Sequence, residues 1–430
     1  MFDLTALTEV DPRAGEAALV ARIAELERVK AAAAAGQARA AAWLDTIRRA
    51  DEAAAGVPAA KRGRGLASEV ALARAESPNR GGRHLGFAKA LVFEMPHTMA
   101  ALESGQLSEW RATLIVRESA CLSVDDRRTL DAELCRDPRG LAGMGDKRIS
   151  AAAKAIAYRL DPRAVVDRAA RAVTDRTVTI RPAPDTMTYV TALLPVAQGV
   201  AVYAALKRAA DTTFDGRSRN QVMADTLVER VTGRPADVPV PVAVNLVMTD
   251  RTAFAADDAP ADLTGYGPVP AAIARQMVAA AATDARTRAT LRRLYRRPGS
   301  GALVAMESRS RRFPKGLASF IATRDQTCRT PYCDAPVRHT DHAHPSRRDG
   351  PTSAANGCGT CERCNYAKEA AGWQVTAGDT AAGHVADFVT PTGAQYRSTA
   401  TPLPGTRPIT VVEIHAHIPV DADGFGCRAA

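Results

Sequence analysis

CRTPYCDAPVRHTDHAHPSRRDGPTSAANGCGTCERCNYAKEAAGW, residues 328–373, decides the reading of the chain. Two cysteine pairs frame it. Cys328 and Cys333 are separated by four residues that include Pro331, which favours a tight turn, and Cys361 and Cys364 are separated by two. Short-spaced pairs, one on a turn and one at a helix start, complete a tetrahedral S4 zinc site. The 28 positions from Cys333 to Cys361 are room enough for a small ββ unit. Cys358 leaves a second register open, because Cys358-x2-Cys361 has the same spacing. The pair Cys361 and Cys364 is preferred, since Cys364 adjoins Asn365 at the start of ERCNYAKEA, which reads as a helix.

Between and beside the pairs lie Asp341-His342, Asn356, Asn365 and Lys368. Hydrolysis of a phosphodiester needs a base to activate water and a cation to neutralise charge on the phosphorane and the leaving oxygen. His342 supplies a group that titrates near neutral pH. Asp341 and Asn365 supply hard oxygen ligands suited to magnesium or manganese. Asn356 is expected to orient the imidazole. Neighbours on a regular strand point to opposite faces. Asp341 and His342 therefore share a site only if the strand ends or twists there, as Pro345 and the DGP run at 349–351 suggest. Arg347, Arg348 and Lys368 are candidate phosphate contacts, and His339 and His344 are flanking residues rather than ligands.

The stretch resembles the HNH nuclease family, whose fold is a ββα-metal unit stapled by zinc. The resemblance implies Asp341 as metal ligand and His342 as general base. It matches Asn356 to the middle asparagine, and Asn365 to the last position, where many members carry histidine. The chain thus has the His-Asn-Asn variant, with Cys328, Cys333, Cys361 and Cys364 as the zinc cysteines. The segment MPHTMAALESGQLSEWRATLIVRESACLS, residues 95–123, is similar to the N-terminal helical domain of unknown function found in HNH proteins of high-GC actinobacteria.

Composition agrees with a mainly helical chain carrying small α+β parts. Of the 430 residues, 46% are hydrophobic but only 5% aromatic. Alanine, the strongest helix former, makes up much of the apolar fraction. The formal charge is +10. Between Arg286 and Arg329 twelve basic residues, Arg311 and Arg312 among them, stand against Glu307 and Asp325 alone, a local surplus equal to that of the whole chain. Such a run gives sequence-independent affinity for a phosphate backbone through counterion release. DNA is accordingly the expected partner. No stretch reaches the roughly 18 apolar residues of a membrane span, and the start MFDLTALTEVDPRAGE lacks the features of a signal peptide. A cytoplasmic location is expected, where eight cysteines favour metal binding or chemistry over disulfides.

Outward from the cysteine stretch, the chain divides into a long Ala-rich helix at 1–60, with its helical span at 14–56, a mostly helical domain with a few strands at 61–300, the nuclease-like unit at 310–375 and an extension at 376–430. Loops are expected at 57–65 and 78–83, and short helices across 84–160. One of these runs to about Cys135 behind a Ser123–Asp126 capping box, and Cys121 and Cys135 read as buried structural thiols. RTVTIR and MTYVTAL, at 176–181 and 187–193, read as a hairpin. Helices are expected at 195–211, 219–232, 270–281, 289–297 and 315–325, and strands at 238–248 and 410–418, the last with His415 and His417 on one face. Trp373 is expected to pack the small domain. The leading expectation is a metal-dependent DNA endonuclease, with catalytic Mg²⁺ or Mn²⁺ and structural Zn²⁺. Two alternatives are a zinc-dependent DNA-binding module without cleavage and an interaction protein that self-associates through the N-terminal helix.

Overall fold

The computed structural model describes residues 4–236, 246–254, 257–263, 266–283, 312–381 and 383–402. The expected helix at 289–297, the expected strand at 410–418 with His415 and His417, and Arg311 lie outside the described residues. The architecture is mostly helical with small sheets.

The N-terminal body is a helical bundle. A short helix α1 (Leu4–Thr8) precedes α2 (Glu16–Ala54), a single helix of 39 residues. Its buried positions are Ala31, Ala34, Ala35, Ala38, Ala41, Ala42 and Asp45. They recur every three or four residues and so form one stripe. Alanine on that stripe lets α4 (Pro78–Glu94) and α5 (Pro96–Glu103) approach closely. Helix α3 (Leu66–Ala73) packs on α4. Then follow α6 (Glu109–Ser119), α7 (Val124–Cys135), α8 (Asp146–Leu160) and α9 (Pro162–Ala172). Leu91, Met95, Leu102, Leu107, Ile115, Leu130 and Ile149 are fully buried among these helices, with Cys135 in the same core and Cys121 packed beside it.

Two sequence expectations change here. The PNRGGR run at 78–83 is not a loop but the first turns of α4. Pro78 sits at the helix start, where its missing N–H costs nothing. Gly81 serves packing, because a Cβ there would lie 1.7 Å from the Ala67 carbonyl oxygen on α3. At Ser123 only half of the capping box forms. Its Oγ accepts the Asp126 N–H at 3.1 Å, while the Asp126 carboxylate accepts from that same hydroxyl instead of reaching back to the Ser123 N–H.

The middle of the chain holds the expected hairpin, β1 (Thr177–Ala183) with β2 (Met187–Leu193), paired antiparallel. Its three-residue turn, Pro184 to Thr186, places Asp185 and Thr186 both at φ +60°, the positive dihedrals that tight hairpin turns call on. Helices α10 (Val196–Asp211) and α11 (Arg219–Thr232) pack on each other. The expected strand at 238–248 is described only at β3 (Leu246–Val247), which pairs antiparallel with β4 (Ala261–Leu263). Helix α12 (Asp250–Phe254) lies between those strands, and β5 (Gly267–Val269) and α13 (Ala271–Thr283) complete this part.

The C-terminal unit begins with α14 (Lys315–Asp325) and continues through β6 (His339–His342), β7 (Gly357–Thr360) and α15 (Glu362–Lys368). Strands β8 (Gln374–Thr380), β9 (Gly383–Val389) and β10 (Gln395–Thr399) then form an antiparallel sheet in the order β10-β9-β8. Val375, Ala386 and Phe388 of that sheet pack on Ala343 and Cys358. The packing therefore carries past residue 375, where the sequence pattern suggests a boundary.

A buried ion pair ties α14 to the hairpin. Arg324 donates to both carboxylate oxygens of Asp325, at 2.7 and 3.0 Å, and to the Gly357 carbonyl at 2.6 Å. Asp325 Oδ2 accepts the Gly359 N–H at 2.6 Å. The unit docks on the helical bundle at α3 and α4. Glu69 accepts the Thr392 N–H at 3.0 Å, Arg363 donates to the Asn79 carbonyl at 3.4 Å, and buried Trp373 lies against Gly65. Trp373 thus packs between the unit and the bundle. Among the described residues no helix is long and apolar enough to cross a membrane.

Candidate metal centre and hairpin site

Cys328, Cys333, Cys361 and Cys364 are all buried, and their sulfur atoms lie within 4.8 Å of one another. The first pair sits on a knuckle closed by the Cys328 N–H to Ala335 carbonyl bond at 2.8 Å, with Tyr332 at φ +61° in the turn. The second pair opens α15, where Cys361 is the N-cap and its sulfur accepts the Cys364 N–H at 3.5 Å. Four clustered sulfurs suit a tetrahedral metal such as zinc. Cys358 stands apart from them. It lies on β7 opposite Asp341, in the apolar cluster with Phe388, and burial pushes its thiol up to about 12. The second cysteine register is thereby closed.

Strands β6 and β7 pair antiparallel, with His339 opposite Thr360 and His342 opposite Gly357. Strand β6 ends at His342. Asp341 is partly exposed and His342 is buried, as alternation requires. They still meet, because the Asp341 carboxylate curls back to accept the His342 N–H at 2.9 Å. The same oxygen stands 3.7 Å from His342 Nδ1. His342 Nε2 lies 2.8 Å from Thr352 Oγ1, and the Phe313 ring is tilted 47° against the imidazole with centroids 4.6 Å apart.

Helix α15 packs against β6 and brings Lys368 to this point. Its side chain is only 5% exposed, and its Nζ lies 2.7 Å from Asp341 Oδ2, 3.0 Å from Glu369 Oε1 and 3.1 Å from the His342 carbonyl oxygen. Burial raises the Asp341 pKa, but the Lys368 hydrogen bond and charge outweigh it and hold the carboxyl below its ordinary value. Asn365 lies one turn before Lys368, hence on the same side of α15. Its Oδ1 is buried and has no hydrogen-bond partner among the described residues.

Several expected roles are redistributed. The Asn356 amide does not serve the imidazole. Its oxygen accepts the His344 N–H at 2.8 Å, and its NH₂ donates to the carbonyls of His344 and Pro351, each at 2.9 Å. It staples the loop between the strands. Gly350 permits that closure, since a Cβ there would lie 1.9 Å from the His344 carbonyl oxygen. Lys368 is turned inward to Asp341 instead of outward to a phosphate. Arg347 pairs with Glu369, and Arg348 and Arg312 are exposed. Exposed His344 bonds the Arg348 carbonyl at 2.7 Å, and His339 is half-buried on β6. Within the basic run, Arg324 and Arg329 are buried and structural. Thr352 and Phe313 escape sequence reasoning. No spacing rule marks them, because their contact with His342 exists only after the loop and α14 close around it.

No curated protein and no solved structure matches the chain. A family model described as Domain of unknown function (DUF222) matches residues 23–325. The match runs from within α2 through the rest of the helical bundle, the middle of the chain and α14, and it stops just before Cys328. It spans well over half of the sequence, and the chain therefore belongs to the DUF222 family.

Proposed function

We propose that the chain is a metal-dependent DNA endonuclease of the HNH type, acting through the β6–β7 hairpin and α15. The observation that carries this reading is the meeting of Asp341 and His342 at the end of β6, beside a helix whose Asn365 oxygen is buried and has no hydrogen-bond partner among the described residues. A carboxylate and an orphaned amide oxygen are the hard donors that suit Mg²⁺ or Mn²⁺. Bound there, the divalent ion would neutralise charge developing on the phosphate and the leaving oxygen. Asp341 and Asn365 would hold it. His342 takes a proton from water, the resulting hydroxide attacks phosphorus, and the bond to the leaving oxygen breaks as that oxygen gains a proton. The four cysteines would hold zinc and so fix the start of α15, the helix that carries Asn365. Arg347, Arg348 and Arg312 are the exposed basic groups offered to the phosphate backbone.

The test is nicking of supercoiled plasmid with Mg²⁺ or Mn²⁺. Wild type should nick and His342→Ala should not, at unchanged zinc content. Nicking by His342→Ala would remove the base assignment. One observation favours the second reading, a zinc-dependent DNA-binding module. Lys368 already satisfies the Asp341 carboxylate without any divalent ion. Salt-sensitive DNA binding with no strand breaks under any divalent metal would select that reading.

A further inference from the structure

Resting on the reading of DNA as the partner, we infer that the exposed face of α8 in the helical bundle is a second contact surface for duplex DNA, one that grips the phosphate backbone outside the hairpin site. The need for it arises at the hairpin. Lys368 is bound to Asp341 and Arg347 to Glu369, while Arg324 and Arg329 are buried. Much of the cationic charge beside the site is thus engaged within the fold, yet affinity for DNA grows with the number of phosphates neutralised.

Helix α8 exposes Lys147, Arg148, Lys154 and Arg159, with Tyr158 55% exposed among them. At 3.6 residues per turn these positions fall within an arc of about 140° and extend over about 18 Å, away from the buried Ile149, Ala153 and Ala157. That length is about five base steps of one strand at 3.4 Å each. Exposed Ala151 and Ala155 lie inside the arc, and their short side chains leave a straight backbone room to approach. No acid stands in the arc. Asp146 flanks it and is held by Trp110 Nε1 at 2.9 Å and by Arg111 at 3.4 Å.

Helix α7 extends the face. Its Glu133 pairs with Arg159, and exposed Arg136 lies three residues further on, hence on the same side of α7. The other acids of α7 are engaged: Asp125 with Arg128, Asp126 with the Ser123 hydroxyl, and Asp131 with the N–H groups of His97 and Thr98. Lys147, Arg148, Lys154 and Arg136 have no ion pair or side-chain hydrogen bond among the described residues. Four cations therefore face solvent, and α7 and α8 have no acid left to balance them. Soluble surfaces intersperse the two signs, whereas a face of one sign attracts a polyanion. The Tyr158 phenol adds a donor for a phosphate oxygen.

The experiment follows binding of the full chain to a mixed-sequence DNA duplex by fluorescence anisotropy, over a range of KCl concentrations and without added divalent ions. For duplex DNA the slope of log K against log salt is about −0.9 for each phosphate neutralised. Lys147→Gln, Arg148→Gln and Lys154→Gln combined should make the slope shallower by about 2 to 3, and weaken binding roughly 100-fold at about 0.1 M salt. Lys147→Arg with Lys154→Arg keeps the charges and should keep the slope. Arg13→Gln, Lys30→Gln and Arg39→Gln combined remove as much exposed charge outside α8, and should change the slope by less than about 1. All variants should keep the zinc content and far-UV spectrum of wild type, because the substituted positions are exposed. An unchanged slope in the α8 variant would overturn the inference and leave the face to a partner other than DNA. An equal change in the Arg13, Lys30 and Arg39 variant would also overturn it, by making the effect one of net charge. If wild type nicks no plasmid while the α8 variant still loses slope, the nuclease reading falls and the α8 surface stands. If wild type nicks while the α8 variant keeps its slope, the α8 surface falls and the nuclease reading stands.

Discussion

The ammonium of Lys368 lies 2.7 Å from Oδ2 of Asp341, so a cation supplied by the chain itself sits on the carboxylate that the proposed divalent ion needs. The two must compete for that oxygen. A hydrogen bond to a charged group contributes roughly 1.5–3 kcal/mol, and each 1.4 kcal/mol is about tenfold in affinity. Lys368→Met is therefore expected to bind Mn²⁺ about tenfold more tightly than wild type in an EPR titration of the full chain. Equal affinity in the two proteins would place the divalent ion away from Asp341.

The cysteine cluster makes a separate prediction about stability. Binding free energy at a structural zinc site is folding free energy. Wild type should carry one zinc ion, while Cys333→Ser and Cys364→Ser should carry none by elemental analysis. Both variants should keep most of their far-UV helix signal, because the buried core of the N-terminal bundle contains none of these four sulfurs. Cys358→Ala should keep its zinc. Loss of zinc in Cys358→Ala would mean that this sulfur enters the coordination set.

What is legible in the sequence divides from the rest along a physical line. The cysteine pairs are legible because metal ligation imposes short fixed spacings, and the structure gathers the same four sulfurs. The 176–193 hairpin and helices such as 219–232 are legible from local periodicity. The glycines at 81 and 82 mislead, because two adjacent glycines read as a break when their surroundings are unknown. Only the close approach of Ala67 shows why α4 wants glycine at position 81. The same limit applies at the site. Asn356, Thr352 and Lys368 have obvious chemistry, but their partners are set by loop closure and by the packing of helix α15 on β6. Likewise Arg324 counts as a surface charge in the sequence and is a buried structural group in the fold.

That buried arginine yields the third prediction. Asp325 receives Arg324 through both oxygens and also holds the Gly359 N–H of β7, while Arg329 Nε stands 3.8 Å from Asp325 Oδ1. Removing one partner of a buried pair leaves the other charge uncompensated, at a cost of roughly 3–5 kcal/mol. Asp325→Ala should lose that much in urea unfolding of the C-terminal unit. A loss below about 1 kcal/mol would show that water or rearrangement relieves Arg324, as at an exposed pair.

His384 gives the chain an acid sensitivity with a defined sign. Its Nε2 donates to the Ala355 carbonyl at 2.9 Å, and its Nδ1 is buried with no hydrogen-bond partner among the described residues. Burial, with the nearby Arg324 charge, lowers its pKa from 6.5 to about 4. The folded state thus keeps the ring neutral, while the unfolded chain takes up a proton as pH falls through 6.5. Between those two values the unfolded state binds more protons, so stability falls with falling pH and levels off below the folded pKa. From pH 7 to pH 5 the loss should be about 2 kcal/mol, since each tenfold change in a protonation equilibrium is worth about 1.4 kcal/mol. His384→Gln keeps an amide donor for the Ala355 carbonyl but cannot titrate. Its urea midpoint should therefore vary less over that interval than that of wild type. Equal pH slopes for the two proteins would mean that the buried ring gains a proton without cost, and that the β9 core opens to water before the chain unfolds.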